Sequence, residues 1–210
     1  MADRAMIRAD RSLPRDTAAR ALYEGTLGWT MSDAAYNLDR LNVLVLDDNR
    51  NMRALIEASL FALGVRKLHE AHDVKQAFRD LQYFHADIVI TDWQMEPLNG
   101  LDFVRMVRSD ENSPNPYVPI IMLTGHTELH RVCEARDAGV NEFLAKPISA
   151  KALYSRLASI IEYPRPFIRT KTYFGPCRRR RNLGPPRGMK ERRADELDKP
   201  ANKQPRGSYA

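Results

Sequence analysis

Apolar positions in the middle of the chain follow two alternating rhythms. Continuous apolar runs, as in Val43-Leu44-Val45-Leu46, Ile88-Val89-Ile90 and Ile120-Ile121-Met122-Leu123, have the form of strands buried on both faces. Between them, apolar residues recur three and four apart, the spacing of an amphipathic helix. From Arg50 to Leu63 these are Met52, Leu55, Ile56, Leu60 and Leu63, and Gly64 supplies a left-handed stop. The pattern continues with a weaker strand over 67–71 and a helix that Asp73 caps, running to about Phe84. A strand over 87–91 then ends at Asp92, and a helix runs from Gly100 to about Arg108. Pro114, Pro116 and Pro119 mark a loop before the strand over 120–124. A helix from about Glu128 to Ala138, stopped by Gly139, a strand over 142–145 and a helix from Ser149 to about Ile161 complete the series.

Five strand–helix repeats with short links predict a parallel sheet with helices on both faces. In such sheets ligands gather beyond the carboxyl ends of the strands, where strand order reverses. The first, third, fourth and fifth predicted strands end at Asp47-Asp48, Asp92, Thr124 and Lys146. Four groups of this chemistry at four strand ends converge on one small site.

Charge changes the picture of the flanks. The net charge of +6 is unevenly distributed: residues 1–40 are neutral, residues 41–163 carry −4, and residues 164–210 carry +10. The folded part is therefore acidic and the basicity belongs to a tail. The chain divides into an extension over 1–40, a domain over 41–163 and a Pro/Arg-rich tail over 164–210. Both extensions are expected to be largely disordered: residues 1–40 show little apolar periodicity, and the tail has little to bury apart from Phe167, Ile168, Tyr173 and Phe174. Met31-Ser32-Asp33 reads as an alternative translation start to Met1. No run approaches the roughly 20 apolar residues of a membrane span. Cys133 and Cys177 form no disulfide framework, so a cytoplasmic location is expected. His69, His72, His85, His126 and His130 show no metal-binding spacing.

Carboxylates forced together repel one another and demand a cation, and hard oxygen ligands that leave room for water suit Mg2+. An adjacent ammonium and hydroxyl fit a phosphoryl group, and a carboxylate can itself be the nucleophile. The segments Leu44-Val45-Leu46-Asp47-Asp48-Asn49, Ile90-Thr91-Asp92-Trp93-Gln94-Met95-Glu96-Pro97-Leu98-Asn99-Gly100, Ile120-Ile121-Met122-Leu123-Thr124-Gly125 and Phe143-Leu144-Ala145-Lys146-Pro147 together resemble the receiver domain of bacterial two-component response regulators. The resemblance implies a flavodoxin-like doubly wound α/β fold with strand order 2-1-3-4-5. It implies Asp92 as phosphoacceptor, and Mg2+ held by Asp47, Asp48, Asp92 and the main-chain carbonyl of Gln94. By the same resemblance Thr124 and Lys146 contact the phosphoryl group, with a cis bond to Pro147, and Phe143 takes the switch-aromatic position without the hydroxyl of a Tyr. It implies a histidine kinase or histidine phosphotransfer protein as donor, and a signalling protein rather than a turnover enzyme.

Plainer readings compete at single positions. Asp48 alone would be a helix cap, Phe143 a core residue, Cys133 a buried small residue, and Trp93 a partly exposed rim residue. The tail lacks the periodicity of a helix-turn-helix, so a stand-alone receiver acting through protein–protein contact is the leading reading. It also resembles the Gly-Pro-x-Arg-Arg-Arg tails of bacterial stand-alone receivers, through Gly175-Pro176-Cys177-Arg178-Arg179-Arg180. The alternative is a DNA-binding regulator using the Arg-rich tail, with nucleic acid as the lesser candidate partner. A haloacid-dehalogenase-type phosphatase would need an Asp-x-Asp pattern at the first strand, which Asp47-Asp48-Asn49 does not supply.

Overall fold

The structure, a computed structural model, describes residues 36–125, 129–170 and 172–178. Expectations about residues 1–35, about Met31, about His126 and Glu128 and about the arginines beyond Arg178 lie outside the described residues.

The chain forms β1 (Asn42–Leu46), α1 (Arg50–Ala62), β2 (Lys67–Ala71), α2 (Val74–Asp80), β3 (Ile88–Asp92), α3 (Gly100–Ser109), β4 (Ile120–Thr124), α4 (Leu129–Ala138), β5 (Glu142–Ala145) and α5 (Ala150–Glu162). Strands one to five make one parallel sheet in the order β2-β1-β3-β4-β5. Alternation along each strand divides the core into two layers. Val43, Val45, Ile88, Ile90, Ile121 and Leu123 pack with Ile56 and Leu60 of α1 and with Leu153 and Leu157 of α5. Leu44, Leu46, Val89, Ile120 and Met122 face the other way, toward Ala77 of α2, Phe103, Val104 and Val107 of α3 and Ala135 of α4. Both faces of the sheet are thus covered, as continuous apolar strands require.

Local signals account for most boundaries. Asn49, Asp73, Asn99 and Ser149 cap their helices with side-chain oxygens, and Asn99 with Asp102 completes a capping box. Gly64 and Gly139 end α1 and α4 at φ +96° and +107°, a region that favours glycine. The helix after Asp73 is shorter than predicted, because residues 81–84 turn back with the N–H of Phe84 donating to Asp80 O. That turn stacks Phe84 on His69, with ring centroids 5.3 Å apart.

The limits drawn at 41 and 163 are both too tight. Leu38 is 1% exposed within the α1/α5 layer, and the Tyr36 hydroxyl donates to Glu162 on α5. Beyond α5, β6 (Phe167–Arg169) pairs antiparallel with β7 (Phe174–Pro176) to form a hairpin inside the segment expected as tail. Phe167 and Phe174 pack edge-on against Tyr117, and the Tyr173 hydroxyl donates to Pro176 O. Phe167, Tyr173 and Phe174 of the basic tail are therefore spent together on one docked element.

Candidate functional site

The upper rim of the sheet brings the predicted residues together. Asp47 follows β1 and is fully buried, with its Oδ1 accepting from the Asn49 N–H at 2.8 Å. Asp48, the next residue, is exposed and does not cap α1, since Asn49 does. Asp92 ends β3 and is 5% exposed; its Oδ1 accepts from the Trp93 N–H at 2.8 Å and lies 2.9 Å from Lys146 Nζ. Lys146 Nζ also stands 3.9 Å from Asp47 Oδ2. Thr124 is buried at the end of β4, hydrogen-bonded in register beside β5. The Lys146–Pro147 bond is cis as expected, and Glu96–Pro97 is cis as well.

Oxygens of Asp47, Asp48 and Asp92 lie within 4.8 Å of one another. Burial, reinforced by the carboxylates of Asp92 and Asp48, pushes the Asp47 carboxyl up to about 6, against the opposing pulls of the Asn49 N–H and the Lys146 ammonium. Asp47 Oδ2 is buried with no hydrogen-bond donor. A buried carboxylate oxygen without a donor, flanked by two more carboxylates, is a donor set that a hard divalent cation satisfies.

Two structural supports escape a reading of the sequence. Arg53, one turn into α1, reaches back with Nη1 donating to Asp47 O at 2.8 Å while its Nε pairs with Glu70 at 2.9 Å. It ties the Asp47-Asp48 loop to β2. Gly100 donates its N–H to Trp93 O at 2.9 Å, and a Cβ there would overlap the main-chain carbonyl of Asp92. The β3–α3 loop thus folds tightly over the acceptor strand end, which explains why Trp93 is buried at 6% exposure instead of standing on the rim. Phe143 is half-buried against the α2/α3/α4 layer, and Gln94 is exposed. Cys133 is likewise only half-buried. Among the described histidines, His69 pairs with Asp80 and His72 with Asp73, and the only three-carboxylate or His/Cys cluster among the described residues is the one at the strand ends.

A five-stranded doubly wound sheet with acidic, hydroxyl and ammonium groups at its switch point defines a class of small signalling domains. A family model described as response regulator receiver domain matches residues 43–158, and the chain belongs to that family. It is 34% identical over 122 residues to the chemotaxis protein CheY of Pseudomonas aeruginosa, covering 58% of this chain and 97% of that one. The receiver domain of a Pseudomonas aeruginosa sensor histidine kinase, solved with a magnesium ion coordinated in its active site cleft, is 31% identical with a TM-score of 0.52, over 58% of this chain and 98% of that one. The chemotaxis protein CheY4 of Vibrio cholerae is 28% identical with a TM-score of 0.53, over 57% and 98%. The chain is thus a receiver-domain protein homologous to components of phosphorelay signalling, a class of signalling proteins and not of turnover enzymes. These matches lend the DNA-binding reading no support, and the phosphatase reading falls with the family assignment. Among the described residues no helix is long and apolar enough to cross a membrane.

Proposed function

We propose that this protein accepts a phosphoryl group on Asp92 from a phosphohistidine donor, a histidine kinase or histidine phosphotransfer protein, and signals through protein–protein contact. The observation that carries this reading is the 2.9 Å approach of Lys146 Nζ to Asp92 Oδ1 beside an acidic pair whose inner member has a donorless buried oxygen. A carboxylate oxygen of Asp92 attacks phosphorus as the P–N bond to the donor imidazole breaks, leaving an acyl phosphate and a neutral imidazole. The Trp93 N–H and Lys146 hold the carboxylate in place for that attack. Lys146 offsets charge on the phosphoryl oxygens, and Thr124 donates its hydroxyl to one of them. Asp47, Asp48, Asp92 and the Gln94 carbonyl would hold Mg2+, which supplies neutralisation of phosphoryl charge when bound.

The donor has a docking face at hand. On α1, which starts beside the acidic pair, Ala54, Leu55, Ala58, Phe61 and Ala62 recur at helical spacing on the outer side, with Leu55 and Phe61 exposed. Such a stripe fits the apolar face of a helical partner. Downstream, the basic segment beyond residue 163 contributes contact with an acidic partner, and that capture weakens with added salt.

Asp92→Asn tests the assignment. It should abolish acid-labile labelling by acetyl phosphate with Mg2+ while leaving the circular dichroism spectrum unchanged. Full labelling of the variant would overturn it.

A further inference from the structure

At the sheet's lower rim, opposite the acceptor, the hairpin β6–β7 closes over a hub built on Arg108. This arginine lies at the end of α3, is 4% exposed, and has no carboxylate partner among the described residues. Its Nε donates to Gly139 O at 3.1 Å, Nη1 to Pro116 O at 2.7 Å and Nη2 to Asn141 Oδ1 at 3.0 Å, and its guanidinium lies 5.1 Å from the Phe167 ring centroid. Asn141 Oδ1 also accepts from the N–H of Ile120, the first residue of β4. Arg165, which leads into the hairpin, donates to Asn141 O at 2.9 Å and to Cys177 O.

The strands held there are the two whose upper ends carry the phosphoryl-reading groups. Ile120 and Thr124 are opposite ends of β4; Asn141 and Lys146 bracket β5. Each strand is a rod of four or five residues, about 13–16 Å long, with little length to absorb a displacement. The third element from the site to the hub is α4, which follows Thr124 in the chain and ends at Gly139. The hairpin grips that end directly. Gly175 packs on Gly139 so closely that a Cβ on it would sit 3.1 Å from Gly139 Cα. Arg178 pairs with Asp137 at 3.2 Å while lying 4.1 Å over the Tyr173 ring.

Opposing terms act on this seat. The edge-on cluster of Tyr117, Phe167 and Phe174 favours docking. Burying the Arg108 guanidinium against neutral oxygens opposes it, and burial pulls that group down to about 9. A seat with one term for it and one against it is what a two-state element needs.

We infer that the β6–β7 hairpin is a latch on the lower ends of β4, β5 and α4, seated when Asp92 is unmodified and loosened when it carries a phosphoryl group. The inference rests on the phosphoacceptor reading above. The hairpin bears on the ends of all three elements that run from the site, so a displacement of β4, β5 or α4 on phosphorylation would strain its contacts with Asn141, Gly139 and Asp137. Coupling between two sites is reciprocal, so loosening the latch also favours phosphorylation.

The test uses the full chain with acetyl phosphate and Mg2+, reading Asp92 labelling by intact mass and amide exchange over residues 165–178 on the same samples. Labelled protein should exchange there about fivefold faster than unlabelled protein, the lower end of typical coupling between sites. Phe174→Ala, and Asp137→Asn as a surface variant that leaves the core intact, should raise the labelled fraction at a fixed donor concentration. Labelling with unchanged hairpin exchange, and variants labelled to the same extent as the parent, would overturn the latch and leave Asp92 as acceptor. No labelling of the parent protein would remove the acceptor reading and the latch together.

Discussion

Asp47 shows how one side chain links metal, pH and stability. Its carboxyl is raised from an ordinary 3.8 to about 6, so the folded protein holds this proton more tightly than the unfolded chain. The ionised form therefore costs stability above about pH 6, and that cost fades as pH falls from 6 toward 3.8. A cation bound by the cluster relieves it. Thermal midpoints should rise with Mg2+ at pH 8 and hardly change at pH 5; equal shifts at both values would refute the role of Asp47. Asp48→Ala should weaken Mg2+ binding by at least ~10-fold, followed by titrating the fluorescence of Trp93 in a Trp29→Phe background. Gly100→Ala drives a Cβ into the Asp92 carbonyl, a main-chain atom that cannot step aside. It should cost about 3 kcal/mol in urea unfolding, at the upper end of overpacking penalties, and reduce labelling of the surviving fold. At this scale the acidic pair, Asp92, Thr124 and Lys146 were legible because each sits where a buried strand ends. Arg53 was not, since its role depends on reaching back over the loop to Asp47 O, and Trp93 was misplaced because nothing in its neighbours announces the Gly100 N–H to Trp93 O closure.

Among the elements, apolar periodicity located all five strands of the main sheet and the five helices of the described residues, with caps and glycines marking most ends. It failed for α2, where Leu81 and Phe84 keep helical spacing but lie in turns that set Phe84 against His69. Lys146 belongs to this scale because it ties β5 to β3 across β4. Lys146→Ala should leave the fold intact, as the side chain is partly exposed, yet uncouple β5 and α4 from the acyl phosphate. Phosphorylation-induced changes in amide exchange over residues 129–145 should shrink severalfold in the variant. Equal changes in variant and parent would show that Thr124 alone carries the signal.

For the molecule as a whole, the split of charge was legible and the extent of the domain was not. Phe167, Ile168, Tyr173 and Phe174, in a segment of 47 residues diluted by Pro, Arg and Lys, read only as apolar exceptions in a largely disordered tail. Only the pairing of 167–169 with 174–176, and the docking on Tyr117 and Arg108, reveals that they form a layer of the domain. Two truncations separate this layer from the residues beyond Arg178. Ending the chain after Arg178 should leave the thermal midpoint within a degree or two. Ending it after Glu162 removes Phe167 and Phe174 and uncovers Arg108, a loss of about 2 kcal/mol after the ordering cost of the hairpin, or about 7 °C in the midpoint. Both forms should still be labelled on Asp92, since the site residues lie within 47–146. Equal midpoints would mean that the hairpin adds nothing to the domain.

The described residues begin at Tyr36 beside Glu162 and end at Arg178 beside Asp137, both on the rim of the sheet farthest from Asp92. Entry and exit on one side make the protein easy to tether. A bead, a surface or a fused cargo joined beside Tyr36 or Arg178 leaves the acidic rim and the stripe on α1 facing outward, so a donor meets an anchored copy as it meets a free one. Arrays of immobilised copies should therefore charge with phosphate at the rate of the protein in solution, whereas attachment through a cysteine placed at Leu55 should silence them.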